Sequence, residues 1–203
     1  MRTSALAALA ALALLAVPAN AQPSFGLKAG LNVANFSGDD ANESEARLGF
    51  VGGLTARVPF TPMAALQVEA LYSQKGEEYL NTVGLTEETR INYLEIPAMV
   101  RLGIPASPFL DLGASVGGYV GVPLNGEVSV EGEFENDLDL ATDYGFLIGV
   151  DAGSGPFYVD ARYTQGLTGA IEFDPGIGEA DLDKRNQVIS LTFGYRFGGG
   201  RMY

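Results

Sequence analysis

The 203-residue chain contains no cysteine and no histidine. Without cysteine no disulfide framework can hold the fold, so stability has to come from a barrel or core large enough to stand alone. Without histidine, Ser-His and Cys-His nucleophile pairs and ordinary zinc sites are excluded. Basic residues are also scarce, with 12 Lys and Arg against 25 Asp and Glu and a formal net charge of −13. Nucleic-acid phosphates need clustered Lys and Arg, so no nucleic-acid partner is expected.

Long apolar runs are equally scarce. The exception lies at the N-terminus, where Arg2 precedes an Ala- and Leu-rich stretch over residues 5–17, followed by Pro18 and Ala19-Asn20-Ala21. This pattern reads as a secretory signal peptide over residues 1–21, with an A-x-A cleavage site before Gln22. The run is short for a membrane-anchoring helix. Cleavage removes Arg2 as the sole charge and moves the net charge from −13 to −14. Residues 22–203 then hold no run long enough for a membrane helix, so a membrane home for them requires a closed barrel.

What is present is alternation. In "YLEIPAMVRL", Leu94, Ile96, Ala98, Val100 and Leu102 share one face, while Tyr93, Glu95, Pro97, Met99 and Arg101 share the other. Eight segments repeat this two-faced pattern: 24–36, 47–58, 64–74, 91–102, 109–120, 143–153, 157–167 and 187–197. Each is near the roughly 9 to 11 residues that a tilted membrane strand needs. In the third, Leu66, Val68, Ala70 and Tyr72 oppose Gln67, Glu69, Ser73 and Lys75.

The connections alternate between long and acidic ("SGDDANESEA", "GEEYLNTVGLTEET", "GVPLNGEVSVEGEFENDLDLAT", "TGAIEFDPGIGEADLDKRN") and short ("PFTPM", "GIPASP", "SGP"). Tight periplasmic turns and longer extracellular loops give this segregation in an even-stranded membrane barrel; a soluble barrel has no reason for it. Phe25, Phe60, Phe157 and Phe197 fall at the turn end, whereas Phe50, Tyr72, Tyr144 and Tyr163 fall nearer the long loops, as two aromatic girdles would. The fold class expected is all-β: an eight-stranded antiparallel up-and-down transmembrane barrel.

With the apolar parity facing lipid, the inward face collects Lys28, Arg57, Arg101, Arg162 and Arg196 against Glu69, Glu95, Asp111, Asp151 and Asp160. An eight-stranded barrel is just wide enough for its own side chains, so these five cations and five carboxylates are expected to form a lumenal ion-pair network. Arg101 and Asp111 lie symmetrically about Ala106 and are expected to face each other in a hairpin. Pro97 cannot donate to a ladder and suggests a local bulge that displaces Met99 and Arg101 by one residue. No catalytic residue, cofactor or metal site is identified. "GVDAGSG" and "GASVGGYVG" open no helix and are not phosphate loops, and "DLDKRN" lacks the glycine and spacing of a calcium loop.

The stretches "FGLKAGLNVANF", "ALYSQKG", "YLEIPAMVRL" and "GYRFG" resemble the PorT-type outer-membrane β-barrel proteins, over essentially the whole of residues 22–203. The resemblance implies a small eight-stranded barrel in the outer membrane of a Gram-negative-type bacterium. It implies little about activity, since only some members are tied to protein secretion. The partners it suggests are outer-membrane lipid, lipopolysaccharide and, during biogenesis, the barrel assembly machinery. Acidic loops carrying Glu127, Glu131, Glu133, Glu135, Asp137 and Asp139, and Glu172, Asp174, Glu179, Asp181 and Asp183, read as a solvated surface or as weak divalent-cation sites. The functional expectation is a non-enzymatic structural, surface or envelope-assembly role with a filled lumen. The rivals are a small porin, a lipid-modifying enzyme of the outer membrane, and a soluble barrel for an apolar ligand; the inward charges argue against the last.

Overall fold

A computed structural model describes residues 23–37, 44–80, 86–107, 109–130, 133–135, 142–169 and 185–198. The strands are β1 (Ser24–Ser37), β2 (Ser44–Pro59), β3 (Ala64–Leu80), β4 (Thr86–Ser107), β5 (Leu110–Val130), β6 (Glu133–Glu135), β7 (Asp143–Ser154), β8 (Phe157–Gly169) and β9 (Arg185–Phe197). Their order is β4-β3-β2-β1-β9-β8-β7-β5-β6, and a further β4–β5 pairing closes the sheet. All pairings are antiparallel. Eight strands thus form an up-and-down barrel, and β6 is a short addition to the far end of β5.

Closure follows from chemistry at the two ends of the chain. β1 and β9 pair over their whole length, from Phe25 opposite Phe197 to Ser37 opposite Arg185, which leaves neither first nor last strand with free backbone groups. The turns at residues 60–63, at Phe109 and at residues 155–156 share one end of the barrel with the start of β1 and the end of β9. In the tightest, Gly155 takes a φ of +58°, a left-handed conformation that glycine adopts without steric cost. The opposite end carries the long connections.

Side chains sort by parity. Along β4, Tyr93, Glu95, Pro97, Met99 and Arg101 are buried, while Leu94, Ile96, Ala98, Val100 and Leu102 are exposed. Exposed leucines, valines and isoleucines recur round the wall, among them Leu31, Leu54, Val116, Val150 and Leu191. A surface this apolar with charge inside inverts a soluble protein and fits lipid. Phe25, Phe60, Phe157 and Phe197 are exposed at the turn end, and Phe50, Tyr72 and Tyr144 nearer the other. At the turn end Phe157 stacks on Phe193 and meets Tyr195 edge-on, and Tyr195 meets Phe197 likewise.

Three sequence expectations need correction. β3, β4 and β5 reach Leu80, Thr86 and Val130, well past the alternating segments. The ladder persists there because strands standing clear of lipid need backbone pairing and no apolar face. The bulge expected at Pro97 is absent. Pairing of β3 with β4 lapses opposite Ile96 and Pro97 and resumes in the same register, from Val68–Ala98 to Leu71–Glu95. Pro97 stays paired with Tyr119 of β5, so its missing N–H faces β3, and parity is undisturbed. Register shifts fall instead between Asn92 and Tyr93, where Asn125 gives way to Pro123, and between Pro105 and Ser107 beside the turn. Finally, the β4–β5 turn is not centred on Ala106, since Arg101 lies opposite Ser115, and Asp111 opposite Pro105.

Candidate functional site

The lumen is the one place where the strands bring charged chemistry together among the described residues, and it is arranged in three layers. Of the ten charges read from the sequence as a lumenal ion-pair network, nine are in ion pairs among the described residues, and Arg196 lies only over the Tyr158 ring. The middle layer joins Lys28 of β1, Glu69 of β3, and Asp160 and Arg162 of β8. Lys28 Nζ lies 3.2 Å from Glu69 Oε2 and 3.0 Å from Asp160 Oδ1. Arg162 reaches Glu69 through Nη1 at 2.9 Å and Nη2 at 3.1 Å, and Asp160 through Nη2 at 3.2 Å. Each carboxylate therefore meets both cations, and all four side chains are at most 5% exposed. Gln67 Nε2 donates to Glu69 at 2.5 Å, and Thr192 Oγ1 donates to Asp160 at 3.4 Å.

Nearer the turn end, Arg101 grips Asp151 bidentately, Nε to Oδ1 at 2.6 Å and Nη2 to Oδ2 at 2.5 Å, a strong charge-assisted geometry. The same Nη2 reaches Asp111 at 2.8 Å. Arg101 and Asp111 therefore do pair, although their backbones are not directly opposed. The side chain runs along the lumen over Gly103 and Gly113, which face each other across β4 and β5. A Cβ on either would collide with the guanidinium, so the two glycines make the diagonal contact possible. Arg57 Nε donates to Gln67 Oε1 at 2.8 Å, with Nη2 4.0 Å from Asp151, and Arg196 lies over the Tyr158 ring with its Cζ 5.0 Å from the centroid.

The third layer, toward the loop end, contains two charges that the sequence reading did not place in the network. Lys75 Nζ sits 2.8 Å from Glu95 and 3.3 Å from Asp143, with the rings of Tyr119 and Tyr93 at 4.5 and 5.2 Å. Asp143 also accepts from Tyr119 Oη at 2.9 Å and Asn186 Nδ2 at 2.8 Å. The signal was available: Lys75 shares the parity of Glu69, and Asp143 that of Asp151. Both sit at the ends of their alternating segments, where the wall changes from lipid to water and parity is least telling.

Apolar side chains occupy the lumen as well. Met99, Tyr119 and Leu147 form a buried cluster, and Val51, Leu71 and Val188 are buried. Between the middle and loop-end layers lies a cavity of about 10 Å³ lined by Lys28, Ser73, Lys75, Glu95, Arg162 and Thr192 among others, enough for about one water. Among the described residues the lumen is a packed, charged core, with nothing arranged as nucleophile, base and oxyanion donors. Of the acidic-loop residues, Glu127 lies in β5 and Glu133 and Glu135 in β6. The others, and residues 1–21 with the expected cleavage site, lie outside the described residues.

Residues 20–172 match the family model described as outer membrane protein beta-barrel domain, and the chain belongs to that family. The neisserial surface protein A crystal structure is similar at 14% identity and a TM-score of 0.50, over 85% of this chain and 97% of that one. OprG from Pseudomonas aeruginosa is similar at 10% identity and a TM-score of 0.47, over 87% and 96%. Ail from Yersinia pestis, in complex with the heparin analogue sucrose octasulfate, is similar at 14% identity and a TM-score of 0.45, over 87% and 99%. No curated protein matches the chain. At such identities neisserial surface protein A supports the fold alone.

Proposed function

We propose that this member of the outer membrane protein beta-barrel domain family is a non-enzymatic barrel with a plugged lumen, serving a structural, surface or envelope-assembly role. The observation that carries the reading is the unbroken stack of three ion-pair layers across the barrel interior, in which the middle layer alone ties β1, β3 and β8. Ions crossing such a lumen would have to displace paired, desolvated charges, each costly to leave unpaired. The absence of histidine from the whole sequence removes the usual general base at neutral pH.

In this reading residues 1–21 are a cleaved leader, the short turns face the periplasm, and the long acidic loops face outward, against lipopolysaccharide and the cations that bridge it. The narrower PorT-type assignment rests on the stretches quoted above. Assembly follows the route of other outer-membrane barrels, through the barrel assembly machinery. The reading is tested by swelling of liposomes containing the purified protein in small sugars. Swelling no faster than in protein-free liposomes is the expected result. Fast, size-dependent swelling would replace the reading with that of a small porin.

A further inference from the structure

Charge is not distributed evenly along the lumen. The middle layer balances Lys28 and Arg162 against Glu69 and Asp160. The loop-end layer sets Lys75 against Glu95 and Asp143. At the turn-end mouth three guanidiniums, Arg57, Arg101 and Arg196, meet two carboxylates, Asp111 and Asp151, and both carboxylates are taken first by Arg101. Arg57 touches Asp151 only at 4.0 Å, and its Nε is used by a neutral amide. Among the described residues Arg196 has no ion pair, only the face of Tyr158. Arg101 Nη1 is buried with no acceptor.

These groups converge. β1 lies between β2 and β9, so Arg57, opposite Ser24, and Arg196, opposite Gly26, flank the same strand on the inward parity. Arg57 and Arg101 share Asp151, and Arg196 Nη2 lies against Gly153, which pairs with Asp111, the other carboxylate that Arg101 holds. Where Arg196 comes close to the wall it meets Gly153, whose Cβ would strike its Nη2, so the strand is cut back there to glycine to admit the guanidinium. Unlike the layers above it, this one opens to solvent: Arg196 is partly exposed and the Asp111 side chain 34% exposed.

We propose that the turn-end mouth of the barrel binds a small tetrahedral oxyanion, of the sulfate or phosphate class, between Arg57 and Arg196 with Arg101 behind them. The planar donors of guanidinium suit such an ion, and its charge offsets the excess of three cations over two carboxylates. A site of this kind lies apart from the plugged-lumen reading and does not depend on it. In the orientation given above, it opens to the periplasm.

The test uses the full chain folded in phospholipid vesicles, with sodium sulfate and sodium phosphate as probes against sodium chloride at matched ionic strength. The midpoint of denaturation is expected to rise saturably with sulfate or phosphate. In Arg196→Gln the apparent affinity should fall at least tenfold, and in Asp111→Asn, which removes a competing carboxylate, it should increase. Sulfate also stabilises proteins by general exclusion from their surfaces. A rise that is linear in sulfate and the same in Arg196→Gln would therefore overturn the proposal. Should that variant fail to fold, titration calorimetry of the wild-type chain decides, and a heat no larger for sulfate than for chloride overturns it as well.

Discussion

The middle and loop-end layers solve one problem in different ways. In the middle, two cations and two carboxylates each meet both opposite partners, so charge answers charge. Toward the loops a single ammonium, Lys75, faces two carboxylates, and the deficit is made up by neutral donors. Tyr119 and Asn186 both donate to Asp143, and the rings of Tyr93 and Tyr119 present their negative faces to Lys75. In the quartet, loss of one member leaves two like charges sharing a single counter-charge. In the mixed cluster Asp143 keeps two neutral donors when Lys75 is lost, and Glu95 alone loses its partner. Stability should therefore depend more sharply on single residues in the middle layer than in the loop-end layer.

The largest effect is expected from Glu69→Ala. It leaves Lys28 and Arg162 in a dry site with Asp160 as their only carboxylate, a loss on the order of 3 to 5 kcal/mol in unfolding free energy measured by denaturant in lipid vesicles. An unchanged unfolding free energy would mean that water reaches the quartet. Lys75→Met should cost less, about 2 to 3 kcal/mol, because Asp143 retains Tyr119 and Asn186 while Glu95 loses its ammonium. Were Lys75→Met the more damaging of the two, the comparison would be reversed.

Tyr119→Phe sharpens the comparison by removing one neutral donor and sparing the ring beneath Lys75. A loss of about 1.5 kcal/mol is expected, in the range for a hydrogen bond to a charged group. A loss near zero would show that Asn186 and Lys75 suffice for Asp143. Asp111→Asn should have the smallest effect, under about 1 kcal/mol, because its ion pair with Arg101 is partly open to solvent and Asp151 holds the same guanidinium. A larger loss would extend the dry core to the mouth of the barrel.

Much of this was legible in the sequence because membrane barrels write lipid and lumen in strict alternation. Leu94 to Leu102 and their inward neighbours sort as the alternation predicts, and nine of the ten charges read as lumenal are in ion pairs, Arg196 being the exception. The code fails where its physical cause fails. Beyond the lipid no apolar face is required, so the outer parts of β3, β4 and β5 carry no alternation, and Lys75 and Asp143 fall at that boundary. The pairing of Arg101 with Asp111 was anticipated, but from the wrong register. A long guanidinium lying over two glycines reaches a carboxylate that its backbone does not face, and parity alone is silent about reach along the lumen. Pro97 misled in the opposite sense, because one missing donor toward β3 interrupts pairing without moving a strand.

The central claim is that charge pairing closes the lumen, and single-channel recording of the purified wild-type protein in planar bilayers tests it most directly. The account predicts a baseline without resolved openings, since the cavity beside the middle layer has room for about one water and the layers on either side are tied by ion pairs. Steady, well-resolved unitary openings of the wild-type protein would contradict it.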